Sequence, residues 1–573
     1  MPVVPSPCLP VSPSPSAPLP FPRGPIPSTI ARMEPESKRH PLIAGTVITS
    51  LGTQVSRVLG MFRDMATAAL LGLAGRHGVA DAFLFAFRIP NLFRLLFGEG
   101  ALTASYLPVL TVHVERDPQA AQQLSSVVVA LLAVFLAGMV AAGELLFGLI
   151  WLIWGSGPWM ELVLGLSAVM LPYLVLICVA AQLSTMLYAA GSFAMPALAP
   201  SMLNIVWLIA AWVGTRWCTG NQVAQAYLLA AAVVISGVAQ VAVQLPTLRR
   251  LGFRFDFNWP AARQGVMQIG RNMAPSFVGL AIMQINTFVG SLIGLGLAAA
   301  KDGPQTISWL GGGVHYPMQQ GAVAALYYGD RLCDIPLGIV GLPVAVAIFP
   351  LLSRHAARGH HRLLGADMTL GLRLVLCLSV PAGVGLILLA QPITRLLFER
   401  GQFQPEDTVR VAWVIACYAA GVWANCACPV VVRGFYALND YGTPVRIGAW
   451  MVGLNLVLNL TLIWTLAEGG LAISTTVAAV VQLLLLVVIF SRRRAPLGWN
   501  SLAATAGRTI FATAVMGAVV YLTLPRMPEG DRLASQLLRV GVPLAAGMVS
   551  YCGAYLLLGG RELGMLVHGR IED

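Results

Sequence analysis

The sequence predicts an all-α polytopic membrane protein of about fourteen transmembrane helices: two six-helix lobes around a central cavity, plus two C-terminal helices. Three observations carry this. The first is composition: of 573 residues, 57% are hydrophobic and 10% charged, with a mean hydropathy of +0.76. Soluble domains run at roughly 25% charged. The second is the recurrence of apolar runs long enough to cross a bilayer. The third is a repeat. LYAAGSFAMP (187–196) and FYALNDYGTP (435–444) place Tyr188/Tyr436, Phe193/Tyr441 and Pro196/Pro444 at matching offsets, 248 residues apart. Each stretch closes one apolar run and opens the next, so the fourth and fifth runs are counterparts of the tenth and eleventh.

Residues 1–41 are rich in Pro and Ser and hold no apolar run of signal-peptide length, so a disordered, polyproline-like segment is expected. Met33 precedes EPESKRHPL and the first apolar run, and is the expected translation start. Helices are expected near 42–73, 79–108, 123–154, 159–190, 195–216 and 224–248, forming an N-lobe over 42–250. Those near 268–299, 322–354, 366–389, 407–437, 442–466 and 469–491 form a C-lobe over 251–492. The last two, near 502–525 and 537–560, fall in 493–573. Pro90, Pro172, Pro275, Pro336 and Pro381 lie inside these runs and mark expected kinks.

Loop charge sets the orientation. Arg249, Arg250, Arg254 and Arg263, then Arg354, Arg358 and Arg362, then Arg492, Arg493 and Arg494 fall in loops on one side. The opposite loops carry few: Arg76, Arg216, Lys301, Arg395, Arg400, Arg526 and Arg532. The positive-inside rule then puts both termini in the cytoplasm and requires an even helix count. The longest outer loop, 300–321, contains Gly311-Gly312-Gly313 and reads as an insertion in preference to a lid.

Thirty-six basic against 24 acidic residues give a net charge of +12. In a soluble protein that balance would raise nucleic acid as a partner. Here basic loops account for most of it and no nucleic acid is expected. The remainder sits in the membrane region and points to an anionic substrate. Enzyme motifs (Walker A, G-x-S-x-G, H-E-x-x-H) are missing. His355, His360 and His361 lie in a basic loop, and Glu399, Glu406 and Asp407 form no recognisable acid/base pair. The nine cysteines are scattered, and Cys426 and Cys428 read as small buried residues rather than metal ligands. The expectation is a transporter without cofactor or metal.

The informative stretch is 56–108, where Arg57, Arg63, Asp64, Asp81, Arg88, Arg94 and Glu99 interrupt two apolar helices. Each ionisable group at bilayer depth costs roughly 2.5–3.5 kcal/mol on insertion scales. They must therefore pair, line a polar cavity or lie near an interface. Arg57 and Asp64 are seven apart, as are Asp81 and Arg88, and Glu99 follows Arg88 by eleven, so wheel geometry offers Arg57–Asp64 and Arg88–Asp81 or Arg88–Glu99 as pairs. Arg63 and Arg94 are then left to meet a substrate. Arg331, in YYGDRLCDIP beside Asp330 and Asp334, adds a guanidinium from the eighth helix. Surplus guanidinium suits phosphate or pyrophosphate.

SRVLGMFRD (56–64), ADAFLFAFRIPNLFRLLFGEGALTASYLPVL (80–110), YYGDRL…P (327–336) and FYALNDYGTPV (435–445) resemble the MurJ/MviN family, lipid II flippases of the multidrug/oligosaccharidyl-lipid/polysaccharide exporter superfamily. The resemblance runs from about residue 42 to the end. It implies translocation of undecaprenyl-pyrophosphate bearing the disaccharide-pentapeptide unit from the inner to the outer leaflet of the bacterial cytoplasmic membrane, for peptidoglycan synthesis and cell shape. It implies substrate-binding roles for Arg57, Arg63, Arg94 and Arg331, and gating or salt-bridge roles for Asp64, Asp81, Arg88 and Glu99. It implies a lipid-tail groove on helices thirteen and fourteen, and membrane lipids and cell-wall synthesis enzymes as partners. Leu95 stands where many members have a second Arg. Some members resemble sodium binders; here Gly290 stands at the aligned Asp of helix seven, and Asn455 and Asn459 with Thr475 form the remaining candidate cation site. Coupling to membrane potential or to protons is expected in preference to sodium. A flippase for another polyprenyl-linked oligosaccharide, and a cation-coupled drug exporter, are the alternative readings.

Overall fold

The structure, a computed structural model, describes residues 39–75, 78–98, 100–154, 157–300, 305–307 and 313–568. The expectations for Met33, for Glu99 and for most of the Pro-rich segment fall outside the described residues.

Fourteen long helices follow one another: α1 (Arg39–Leu71), α2 (Val79–Arg116), α3 (Pro118–Trp154), α4 (Pro158–Ala189), α5 (Ala194–Trp217), α6 (Gln222–Arg250) and α7 (Trp259–Gly296). Then come α8 (Ala322–Ala357), α9 (His361–Phe398), α10 (Pro405–Ala437), α11 (Gly442–Leu466), α12 (Glu468–Arg493), α13 (Trp499–Thr523) and α14 (Leu533–Leu557), with a short α15 (Glu562–His568) after them. Thirteen of these contain a stretch apolar enough to cross a membrane among the described residues; α1, which carries Arg57, Arg63 and Asp64, is the fourteenth long helix. α3, α7 and α9 begin at Pro118, Trp259 and His361, five to nine residues before hydropathy placed them. Their polar first turns carry no apolar signal. Side-chain caps start α3 and α7: the Asp117 carboxylate accepts from Gln119 N–H at 3.0 Å, and Asn258 Oδ1 from Ala261 N–H at 3.4 Å.

The repeat is deeper than the ten residues that revealed it. Gly78 and Gly321 are both left-handed caps (φ 71° and 96°). Val79 and Ala322 start α2 and α8, Arg94 and Leu337 start a five-residue π-turn inside each, and Pro118 and His361 start the next helix, every pair 243 residues apart. Ala189/Ala437 and Ala194/Gly442 bound the connections at the 248-residue spacing, and both aromatic pairs meet in tilted contact, Tyr188 with Phe193 at 6.0 Å and Tyr436 with Tyr441 at 5.0 Å. Of the prolines expected to kink, Pro90 and Pro336 precede the π-turns and Pro172 sits at a break in α4, whereas Pro381 lies in unbroken helix.

One continuous core joins the first lobe to the end of the second lobe remote from the basic loops. It runs from Leu71, Phe83 and Trp207 into Ala324 and Tyr328 of α8, Phe398 of α9 and Val411 of α10. Toward the basic loops the second lobe has its own core, around Leu352, Met368, Phe435 and Phe490. A third cluster, with Cys377, Met516 and Tyr555, fastens α13 and α14 to α9. Through α8, α9 and α10 the lobes are thus joined at one end, while the start of α7 is tied to α3 near the basic loops, where Gln123 Nε2 donates to Asp256 Oδ2 at 2.8 Å. The ends of the 300–321 connection are pinned at the joined end by a two-residue parallel pairing, Ala298 with Met318 and Ala299 with Gln319.

Candidate functional site

A cavity of about 430 Å³ lies between the lobes, lined by α1, α2, α5, α7 and α8. Five arginines face it: Arg57 and Arg63 from α1, Arg88 and Arg94 from α2, and Arg331 from α8. Asp330 and Asp334 line it too. With Asp64, which two of those arginines hold, the described residues leave a surplus of two positive charges. Asn91, Asn204, Gln284, Thr287 and Tyr327 supply neutral polar groups.

Asp64 organises the wall. Its Oδ1 accepts from Arg63 Nε at 3.0 Å and Nη2 at 2.7 Å, and from the Tyr327 hydroxyl at 3.2 Å; its Oδ2 accepts from Arg331 Nε at 3.2 Å. This corrects the wheel pairing of Arg57 with Asp64. A neighbour in sequence reaches the carboxylate because Arg63 folds back beneath the indole of Trp207, its Cζ 4.8 Å from the ring centroid. Trp207 is itself held by its Nε1–H donating to Thr67 Oγ1 at 3.0 Å, and Thr67 donates to the Arg63 carbonyl at 2.9 Å. Arg63 is therefore buried and largely committed, while Arg57 is exposed to the cavity. The order of availability is the reverse of that expected from spacing.

Arg88 is not paired with Asp81. It donates to Ser291 Oγ on α7. Arg94 opens the π-turn Arg94–Gly98, and this turn explains the local shape of α2. A π-turn takes the helix out of its i→i+4 register. Gln182 Nε2 on α4 reaches the Phe97 carbonyl at 3.2 Å and the Gly98 carbonyl at 3.1 Å, and Thr103 Oγ1 donates to Gly98 O at 2.5 Å. Gln182, Tyr327, Trp207 and Asn204 were missed as site residues. The signal was available for Gln182 and Asn204, as lone amides inside apolar runs.

Asp81 lies away from the cavity, at the joined end. Its carboxylate accepts from Gly321 N–H at 2.6 Å and Ala324 N–H at 2.9 Å, so an anion on the start of α2 caps the start of α8. Beside it Gln402 N–H donates to the Ala69 carbonyl at 2.9 Å, tying the end of α1 to the α9–α10 connection. Gly72 and Gly401 sit here with φ of 72° and 62°, and a methyl on Gly401 would lie 2.3 Å from Ala69 O. Arg410 completes the closure through Gln320 O at 2.9 Å, Gln319 O at 3.2 Å and Glu468 Oε1 at 2.8 Å.

Asn455, Asn459 and Thr475 are gathered between α11 and α12, outside the cavity lining. Asn459 Nδ2 donates to Asn455 Oδ1 at 2.9 Å and Asn455 Nδ2 to Thr475 Oγ1 at 3.5 Å. The two amides bond each other one turn apart on α11, and Asn455 carries the bond across to α12. No carboxylate joins them, and among the described residues no cluster of three His, Cys, Asp or Glu forms. A hard cation would find neutral oxygens alone: Asn455 Oδ1 and Thr475 Oγ1 already accept hydrogen bonds, and among the described residues Asn459 Oδ1 has no hydrogen-bond partner.

On α9 and α13 an apolar groove of about 560 Å³ opens outward, lined by Val380, Val384, Leu388, Ile510, Thr513 and Tyr521 among others.

Residues 68–539 match the sequence model described as lipid II flippase MurJ. A Vibrio cholerae serotype O1 protein named probable lipid II flippase MurJ is 33% identical over 77% of this chain and 81% of its own length. A Rhizobium meliloti protein of the same name is 32% identical over 89% and 93%. The fold matches a solved lipid II flippase MurJ in an inward closed conformation, with TM-score 0.70 and 21% identity over 91% of this chain and all of that one. It also matches an inward-facing multidrug resistance MATE family transporter of the MOP superfamily, with TM-score 0.59 and 15% identity over 78% and 98%.

Proposed function

Because this chain belongs to the lipid II flippase MurJ family, we infer that it is a multi-pass inner-membrane transporter that moves lipid II across the bilayer for peptidoglycan synthesis. The observation that carries this is the cavity: five arginines from both lobes line a space that is closed at one end by a shared core. Such a site suits a diphosphate carried on a lipid and repels amphipathic cations.

The basic loops lie in the cytoplasm, and both termini with them. The cavity then faces the cytoplasmic leaflet and the Asp81 closure faces outward. The lipid II headgroup enters between the lobes with its pyrophosphate against Arg57, Arg88, Arg94 and Arg331. Arg63 holds Asp64 and thereby sets the position of Arg331. Asp330 and Asp334 compete with phosphate for the same arginines, which keeps binding reversible. The lipid tail stays outside the cavity, in the groove between α9 and α13. Rocking of the lobes releases the Asp81 closure, and the headgroup leaves on the outer side. The driving force is the membrane potential or a proton, since the Asn455–Asn459–Thr475 group offers sodium no carboxylate.

The test is leaflet-resolved labelling of lipid II in cells depleted of their own flippase. Expression of this chain restores outer-leaflet lipid II, and Arg57→Ala/Arg331→Ala, still inserted, does not. Accumulation of a different polyprenyl-linked saccharide, with lipid II unaffected, would overturn the substrate assignment.

A further inference from the structure

The two arginines that α1 and α8 send into the cavity do more than face it. A methyl built on Gly338 of α8 would lie 2.9 Å from Arg57 Nη1, 3.2 Å from its Nη2 and 3.3 Å from its Cζ. A methyl built on Gly60 of α1 would lie 2.9 Å from Arg331 Nη2. Each guanidinium thus rests on a bare stretch of the other helix, where any side chain would displace it.

The pairing is reciprocal and obeys the helix directions. α1 and α8 run oppositely, so Arg57 and Gly338 meet nearer the basic loops, and Arg331 and Gly60 meet nearer the joined end. On α1 the arginine and the glycine are three residues apart, about 4.5 Å along the axis. On α8 they are seven apart, about 10.5 Å in a regular helix, with the π-turn Leu337–Gly341 starting beside the seat. Seven residues return to nearly the same face, and the long arginine stems span the difference in rise. Arg331 is held at its seat by Asp64, one turn beyond Gly60, at 3.2 Å. Among the described residues no carboxylate holds Arg57 in the same way, and it is exposed to the cavity.

We propose that Gly60 and Gly338 are positioning residues. They seat Arg331 and Arg57 in a reciprocal arginine-on-glycine clasp that holds α1 against α8 between transport cycles. This rests on the reading of the cavity as a diphosphate site. Phosphate oxygens compete for the guanidinium forks, lift both arginines from their seats and free the two helices to separate. The glycines contact neither substrate nor each other.

The geometry makes the test clean. Alanine favours a helix over glycine, and the only atoms it meets within 3 Å are the ends of flexible arginines. Gly60→Ala and Gly338→Ala therefore fold with an unchanged melting temperature. The experiment uses the full chain in nanodiscs with nitroxides at Leu51→Cys and Val346→Cys, both exposed positions, and with Cys8, Cys218 and Cys552 replaced by Ser. The wild type gives one narrow distance. Gly60→Ala broadens and lengthens it, and 5 mM inorganic pyrophosphate moves the wild type in the same direction (on the order of the millimolar affinities expected of a stripped headgroup). The shifts of Gly60→Ala and Arg331→Gln are non-additive, because either change empties the same seat. Should Gly338→Ala fold poorly beside its π-turn, Gly60→Ala carries the comparison alone. An unchanged distance in Gly60→Ala, or additive shifts, overturns the clasp. A wild-type distance indifferent to pyrophosphate overturns the release step. These readings need no transported lipid, so they fail or hold independently of lipid II movement, which labelling in cells reports.

Discussion

Asp81 accepts a hydrogen bond from the backbone N–H of Ala324 at 2.9 Å, and Ala324 occupies Asp81's own place in the second repeat, 243 residues on. The closure is therefore made where the two repeats meet as counterparts, with a side chain on one side and a helix start on the other. Hydrogen bonds to a charged group contribute about 1.5–3 kcal/mol each, and Asp81 makes two. Asp81→Ala should open this end. A cysteine at Gln320 becomes reactive to an impermeant thiol reagent added from outside, and lipid II transport falls sharply. Asp81→Asn, which keeps acceptor oxygen, should fall between wild type and alanine.

Asp64→Ala removes the common partner of Arg63 and Arg331. Leaving buried charge unpaired costs about 3–5 kcal/mol, so the melting temperature of the purified protein should drop clearly. Adding Arg63→Met, which removes the stranded buried cation, should recover part of the loss without recovering transport. Equal melting temperatures for wild type and Asp64→Ala would show that Asp64 is not the organiser of this wall.

Gln182 serves the carbonyls of the α2 π-turn. Gln182→Leu has nearly the same volume and strands two buried acceptors at about 1–3 kcal/mol each. The helix relieves this by returning to regular α-geometry, which re-aims the residues beyond the turn. Transport should fall while expression is maintained. Hydrogen exchange over residues 94–103 should quicken, and an unchanged exchange pattern would refute the role given to Gln182.

Replacing sodium by choline on both sides of proteoliposomes should leave the transport rate unchanged. Asn459→Leu should reduce stability by about 1 kcal/mol, the net worth of one intramolecular hydrogen bond such as its bond to Asn455, again without creating or removing a sodium response. A transport rate that tracks sodium concentration would overturn this.

Beyond the last membrane helix, Glu562 is fully buried. It accepts from Arg373 Nη2 at 2.6 Å, Thr505 Oγ1 at 2.7 Å and the Tyr555 hydroxyl at 2.7 Å. Burial alone would raise its pKa, but the hydrogen bonds from Tyr555, Thr505 and Arg373 outweigh it and bring the carboxyl down to about 2 from an ordinary 4.5. A depressed carboxyl stabilises the fold fully above its unfolded pKa, and the contribution is lost as pH falls through the folded one. The tie of α15 to α9 and α13 should therefore hold at neutral pH and weaken between about pH 4.5 and 2. Limited proteolysis near residue 560 should report the release, and Glu562→Ala should show it already at pH 7.

Helix number, lobe order and the charged stretch were legible because hydropathy and bilayer thickness leave few alternatives to a run of apolar residues. The partners within that stretch were not. Wheel spacing paired Arg57 with Asp64 on a regular single helix, yet Asp64 is claimed by an adjacent arginine folded under Trp207 and by Arg331 from another lobe. Asp81 and Arg88 share a stripe, but they are about 10 Å apart along the axis, enough to put one at the closure and the other at the cavity. The π-turns were equally hidden. No residue type announces one, and its extra residue per turn shifts the phase of every wheel drawn through Arg94.

The shared core has a thermal consequence. To open outward, the lobes must part surfaces that include Phe83, Ala324, Tyr328 and Phe398, all buried in the present state. Opening toward the basic side exposes an already polar cavity. Outward opening therefore hydrates more apolar area and carries a positive heat-capacity change. The outward population then depends on temperature along a curve rather than a line, and an Arrhenius plot of turnover bends even though no part of the protein unfolds.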